Sequence, residues 1–183
     1  MDSPREPSRR VTPSPRASDP LADHAEAVRA FASRAAGFPE ARWVEPAAPG
    51  KWSPAEVAEH LALTYAGLCE ELSGGPSIRV RVRGLRLLKL RLFVLPRLLG
   101  SGAFPPGVRS PKEMVPASVE PDRSASLARL AGHAAEFERL IGPRLGSRTG
   151  GITHPFFGKL TPRQGLRLIE LHTRHHTRQL PGS

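Results

Sequence analysis

The sequence predicts an all-α fold: a four-helix bundle with long connectors and a short cationic helix or lid between the second and third long helices. Three observations carry that expectation. Apolar residues recur at helical spacing in four separate segments. Two helix starts share one signature, Ser53-Pro54-Ala55-Glu56 and Thr161-Pro162-Arg163-Gln164. In each, a hydroxyl can accept from the N3 amide, proline suits the first position, and the N3 side chain can reach back to the cap. Finally, many of the 20 prolines and 17 glycines sit in the tail and connectors, leaving Leu/Ala/Val-rich segments to build a core.

Residues 1–18 are rich in Pro, Ser and Arg and nearly lack large apolar side chains, so they read as a disordered tail. Residues 19–183 read as one bundle domain, a reasonable size for a chain of 183 residues. Asp19 and Pro20 open the first helix, with Leu21, Ala25, Val28, Phe31 and Ala32 as its apolar stripe and Gly37 at its end. A proline-broken connector runs from Phe38 to Trp52. The Ser53 start leads into a second helix ending near Leu72, with Val57, Leu61, Tyr65 and Leu68 on its buried stripe and His60 at the margin.

Ile78 to Val82 alternates apolar residues with Arg and reads as a strand. Leu85 to Leu95 suits a short cationic helix that stops near Pro96. A coil follows, containing Phe104-Pro105-Pro106-Gly107, Pro111, Pro116 and Pro121. Asp122 or Ser124 opens the third long helix, which Gly142-Pro143 ends; Leu127, Leu130, Ala134, Phe137 and Ile141 line one side. After a connector around His154-Pro155-Phe156-Phe157-Gly158, the last helix runs from Pro162 to about Leu180, stopped by Pro181 and Gly182.

The formal charge is +10, from 27 Lys and Arg against 17 Asp and Glu. Arg-rich composition, shared with an excess of Ala, Gly and Pro, accounts for this better than a dedicated nucleic-acid interface. The single cysteine, Cys69, excludes an intrachain disulfide and a Cys-based zinc cluster, and reads as a small buried apolar residue on a helix. With no secretory signal and no apolar span of about 20 residues, a cytoplasmic location is expected.

The chemistry points to the last helix. Gly165, Ile169, His172, His176 and Leu180 share one face, while His175 turns about 90° away. A gap of four residues stacks two imidazoles within reach of one ion. His60, on another helix, offers a third, and three neutral imidazoles with an open position are the plan of a catalytic metal site. Gly165 leaves room for a neighbouring helix or ligand. His24 and His133 read as surface or boundary residues, and His154 as a loop residue that lines the pocket mouth or, the favoured reading, bonds a helix end.

Three stretches together resemble the DinB/YfiT-like superfamily of metal-dependent enzymes. They are Lys51-Trp52-Ser53-Pro54 leading to Glu59-His60-Leu61, the His154-to-Thr161 connector, and His172-Thr173-Arg174-His175-His176-Thr177-Arg178-Gln179-Leu180. The likeness spans roughly Leu21 to Leu180. It implies a DinB-like four-helix bundle with a divalent metal held by His60, His172 and His176. It also implies thiol-dependent transferase or isomerase chemistry, since members with assigned activity are mostly of that kind.

The leading functional expectation is therefore a metal-dependent enzyme. A divalent ion bound by the histidine triad would activate water or a low-molecular-weight thiol for hydrolysis or thiol transfer. Imidazole ligands suit Zn, Ni or Fe. Glu56, Glu59, Glu170 and Gln179 are candidates to orient the imidazoles. The expected partner is a small-molecule substrate, and a homodimer is compatible with the reading. The alternative is a non-catalytic binding protein that sets the basic, apolar 78–99 segment on an anionic membrane surface or nucleic acid. Against it stands a plain lid, whose apolar face covers the bundle while its arginines stay in water. A third reading is a scaffold that keeps the fold without the chemistry.

Overall fold

The computed structural model describes residues 19–46, 48–104 and 114–180. The expected tail, 1–18, lies outside them, as do Pro105, Pro106, Gly107 and Pro111 of the connector and the Pro181-Gly182 stop.

The chain is all-α apart from one short hairpin among the described residues. Four long helices carry it: α1 (Pro20–Ala36), α3 (Pro54–Leu72), α6 (Arg123–Ile141) and α7 (Pro162–Gln179). Each starts where its cap dictates. Asp19 accepts from the Leu21 amide, Asp122 accepts from the Ala125 amide, and Ser53/Glu56 and Thr161/Gln164 both form complete capping boxes. α3 packs on α6, and α1 packs on both α7 and α6. Phe31, Leu61, Tyr65, Phe137, Ile141 and Leu166 fill the centre, each essentially without solvent contact. At about 1.5–3 kcal/mol per buried large side chain, this burial is the main force holding the helices together.

The α1 stripe is turned from the expected one. The residues that face inward are His24, Ala27, Val28, Phe31 and Ala35, while Ala25 and Ala32 are only half-buried. The connector after α1 holds one further turn, α2 (Glu40–Trp43), anchored by the buried Trp43, whose indole N–H donates to Glu120 O. The expected strand at Ile78 to Val82 does not form. The segment is extended and Val82 is buried, and the Arg81 amide donates to Pro155 O (2.8 Å). The alternation reflects which side chains face the protein; without a ladder of bonds it makes no sheet.

The cationic segment forms α4 (Gly84–Lys89), a wider π-type stretch over Leu90–Val94, and α5 (Leu95–Ser101). Pro96 does not end it. The widened turns just before Pro96 supply the slack a helix needs to pass a residue with no N–H. The chain leaves α5 at Gly102, whose φ of 66° only glycine adopts readily. Between α6 and α7, β1 (Thr153–His154) pairs antiparallel with β2 (Gly158–Lys159), an element absent from the expected plan. The close approach at Gly165 is made by a connector side chain rather than a neighbouring helix. Ile152 Cγ1 lies 2.7 Å from where a Cβ would stand, so the residue just before β1 docks onto α7 there. Among the described residues no helix is long and apolar enough to cross a membrane.

Candidate metal centre

The three expected histidines converge. His60, on α3, is 2% exposed, His176 on α7 is buried, and His172 is half-buried between them. His172 Nε2 lies 3.4 Å from His60 Nε2 and 3.1 Å from His176 Nε2. Ligand atoms from all three fall within 4.8 Å of one another.

The outer ring nitrogens determine what the inner ones present. His60 Nδ1 sits 2.6 Å from Met114 O, which can only accept, so Nδ1 carries the proton and Nε2 offers a lone pair. His176 Nδ1 donates to Gln179 Oε1 at 2.8 Å in the same way. The Gln179 amide nitrogen is held 2.8 Å from His175 Nε2, which keeps its oxygen turned toward His176. Two lone pairs thus point at His172 Nε2, and a single proton there can satisfy only one of them. His172 Nδ1 is buried with no partner among the described residues. Nitrogens bound tetrahedrally at about 2.0–2.1 Å stand about 3.3 Å apart. The two separations from His172 Nε2 match that value, and all three nitrogens lie within 4.8 Å of one another, so the donor set fits a divalent ion.

Burial keeps these groups neutral, the form that ligates. It pushes His176 down to about 3, with His60 and His175 adding to the shift. It holds His172 well below the ordinary value, reinforced by His176 and His60. It also lowers His60, against the Met114 hydrogen bond, which raises it. Aromatic rings wall the cluster. Trp52 lies 5.0 Å from the His60 ring and stacks at 6.4 Å on His176, while Phe104 lies 6.0 Å from His172 and 5.0 Å from His175.

Of the four side chains expected to orient the imidazoles, Gln179 does so. Glu56 closes its own capping box, Glu59 pairs with Arg129, and Glu170 is buried between Arg167 and Arg174. His154 does not bond a helix end. Its Nδ1 accepts from the Phe156 amide within its own turn, its ring stacks on Phe157 at 4.7 Å, and burial pushes it down to about 4. His133 is a boundary residue, its carbonyl 3.5 Å from Cys69 Sγ. Cys69 itself is half-buried rather than fully so, and burial raises its thiol to about 11, which leaves it inert.

His24 overturns its expected surface placement: it is 0% exposed. Its Nδ1 donates to Glu138 Oε1 (2.6 Å), and its Nε2 shares a hydrogen bond with the Tyr65 hydroxyl (2.8 Å). Tyr65 in turn meets Thr173 Oγ1 at 2.8 Å. One residue from each long helix enters this chain, and it ends beside His172. A sequence signal for it exists, since His24, Val28 and Phe31 sit at i, i+4 and i+7. Trp52 and Phe104 stand out in the sequence only as parts of longer motifs. Met114 contributes a carbonyl, for which no side-chain signal exists.

Helices that enclose a buried cluster of three histidines define a class of helical protein with a ready-made ligand set. A family model described as the DinB superfamily matches residues 24–180, and the chain belongs to that superfamily. No curated protein and no solved structure gave a match.

Proposed function

We propose that this chain is a metal-dependent enzyme of the DinB type, with a divalent ion on the Nε2 atoms of His60, His172 and His176. One observation carries the reading: three inner nitrogens converge while Met114 O and Gln179 Oε1 fix the outer nitrogens of two of them. A divalent ion held there supplies Lewis-acid charge that makes a water or small thiol nucleophilic near neutral pH. Neutral imidazoles leave that charge undiminished. The residues around it do the remaining work. Gln179 and the Met114 carbonyl hold two rings in one tautomer, and Trp52 and Phe104 exclude bulk water from two sides.

Hydrolysis and thiol transfer both suit this arrangement, with a small-molecule substrate. Zn, Ni and Fe(II) all accept such a donor set. The four long helices are read as the four-helix bundle expected of the superfamily, residues 19–183 as one domain, and the location as cytoplasmic. The test is metal analysis of the purified full chain beside His60→Ala, His172→Ala and His176→Ala. Wild type should hold close to one equivalent and each variant a small fraction of that. Equal metal content in all four would defeat the proposal.

A further inference from the structure

The positive charge of this chain is concentrated. Between Glu71 and Glu113 there are nine Lys and Arg and no Asp or Glu, whereas the other 18 cations face all 17 acids. Outside that stretch the protein is nearly neutral. The α4–α5 element lies within this stretch, and it has two apolar faces. One is packed: Leu95 and Leu98 are buried, and Leu90, Val94 and Leu99 lie against the core. The other faces water. Leu85 is 76% exposed, Leu88 51%, Leu92 58% and Phe93 72%. A lid that only covered the bundle would leave no such second face.

Single exposed leucines are ordinary, but four large apolar side chains on one short element form a patch that marks an interaction site. Arg86, Lys89 and Arg97 are exposed on the same element. The element is firmly mounted, because Arg91 donates to the carbonyls of Phe157 (2.7 Å) and Lys159 (2.6 Å).

We propose that this element docks on an anionic lipid bilayer, with Leu85, Leu88, Leu92 and Phe93 entering the boundary between headgroups and acyl chains. Arg86, Lys89 and Arg97 then meet lipid phosphates. The combination selects the partner. A nucleic acid would use the cations but offers little to three exposed leucines. A second copy of the chain would bring the same acid-free cationic stretch against itself in a two-fold contact. A bilayer interface takes both the apolar side chains and the charge, and attraction to anionic lipid adds about 1 kcal/mol per nearby cation, about a fivefold gain each.

The test uses the purified full chain with vesicles of phosphatidylcholine alone and with about 30 mol% phosphatidylglycerol, in a flotation assay at several salt concentrations. Binding should appear on the anionic vesicles, weaken with salt, and be at least about tenfold lower on neutral ones. Leu85→Ser/Phe93→Ser and Arg86→Glu/Lys89→Glu should each lower binding at least about tenfold. Both pairs are exposed, so the melting temperature should stay at the wild-type value, which separates lost docking from lost folding. Three outcomes overturn the proposal. One is equal binding to neutral and anionic vesicles. Another is vesicle binding that Leu85→Ser/Phe93→Ser leaves intact while a DNA duplex binds as tightly, the behaviour of a plain polycation. The third is no vesicle binding at all, including the case of a dimer that Leu85→Ser/Phe93→Ser dissociates.

Discussion

Tyr65 and Thr173 share a buried hydrogen bond of 2.8 Å, and Thr173 directly follows His172. The bond ties α3 to α7 one residue from the histidine cluster. On its other side the Tyr65 hydroxyl meets His24, which Glu138 holds, so the contact is the middle of a chain crossing all four long helices. Both residues are 0% exposed, which pushes the Tyr65 hydroxyl's pKa up and keeps it protonated.

Tyr65→Phe should therefore destabilise the fold by about 1–3 kcal/mol. It removes one hydroxyl and leaves His24 Nε2 buried without its partner, and an orphaned buried group costs that much. Thr173 keeps its bond to Ile169 O, so α7 should stay helical. Urea unfolding with unchanged far-UV circular dichroism checks this. A loss below about 0.5 kcal/mol would show that the network contributes little.

Gln179→Ala should weaken metal binding about 10–100-fold, because it frees the outer nitrogen of His176 and with it the ring's tautomer. His175→Ala should retain the metal with a smaller loss. Its ring faces Phe104, lies 5.4 Å from the His176 ring and bonds the amide nitrogen of Gln179, but its nitrogens are not among the converging ones. Competition with a chromophoric chelator measures both affinities. If His175→Ala proved as damaging as His176→Ala, the ligand set would have to be redrawn.

The three clustered histidines are legible in the sequence because their signal is local or strongly patterned. The i, i+4 spacing of His172 and His176 needs only a helix, and the capping boxes at Ser53 and Thr161 set the register of both histidine-bearing helices. The placement of His24 is harder, because a stripe of small alanines is ambiguous: Ala25 and Ala32 serve as well as Ala27 and Ala35 until tertiary packing chooses. Ile78 to Val82 has the period of a strand, but a strand needs a partner, and the β1–β2 hairpin pairs with itself. Pro96 looks like a stop because the rule for an α-helix interior does not foresee a π-type turn that absorbs it. Met114 acts through its backbone, which leaves no trace in residue type.

Without metal, stability should fall as pH drops below about 6.5. In the unfolded chain each imidazole titrates near that ordinary value, while in the folded protein burial pushes His154 down to about 4 and His176 to about 3. Between these limits the unfolded state binds more protons, so lowering the pH favours it. The stability is fully present above about 6.5 and is lost progressively toward pH 4 and below. Each such histidine contributes up to about 1.4 kcal/mol per pH unit. Urea midpoints between neutral and mildly acidic pH in a chelator check the slope, and a flat profile would contradict neutral burial.

Convergence across α3 and α7 makes the most demanding prediction. An ion on His60, His172 and His176 binds the folded chain and not the dispersed ligands of the unfolded one. It should stabilise the fold by RT ln(1 + [L]/Kd), about 2.7 kcal/mol when free metal is about 100 times Kd. The melting temperature should accordingly rise with added Zn or Ni at neutral pH. At about pH 5 the response should shrink, because protons compete for the same nitrogens. His60→Ala should remove most of the rise although His60 lies 112 positions from His172 in the chain. That distance is what separates the alternatives. Two histidines one turn apart on α7 could chelate an ion on an isolated helix, with no cost to the fold when α3 is altered. Differential scanning fluorimetry of wild type and His60→Ala with and without metal distinguishes the two. A response that survived His60→Ala intact would reduce the site to a local chelate on α7 and remove the main ground for assigning enzyme chemistry to the cluster.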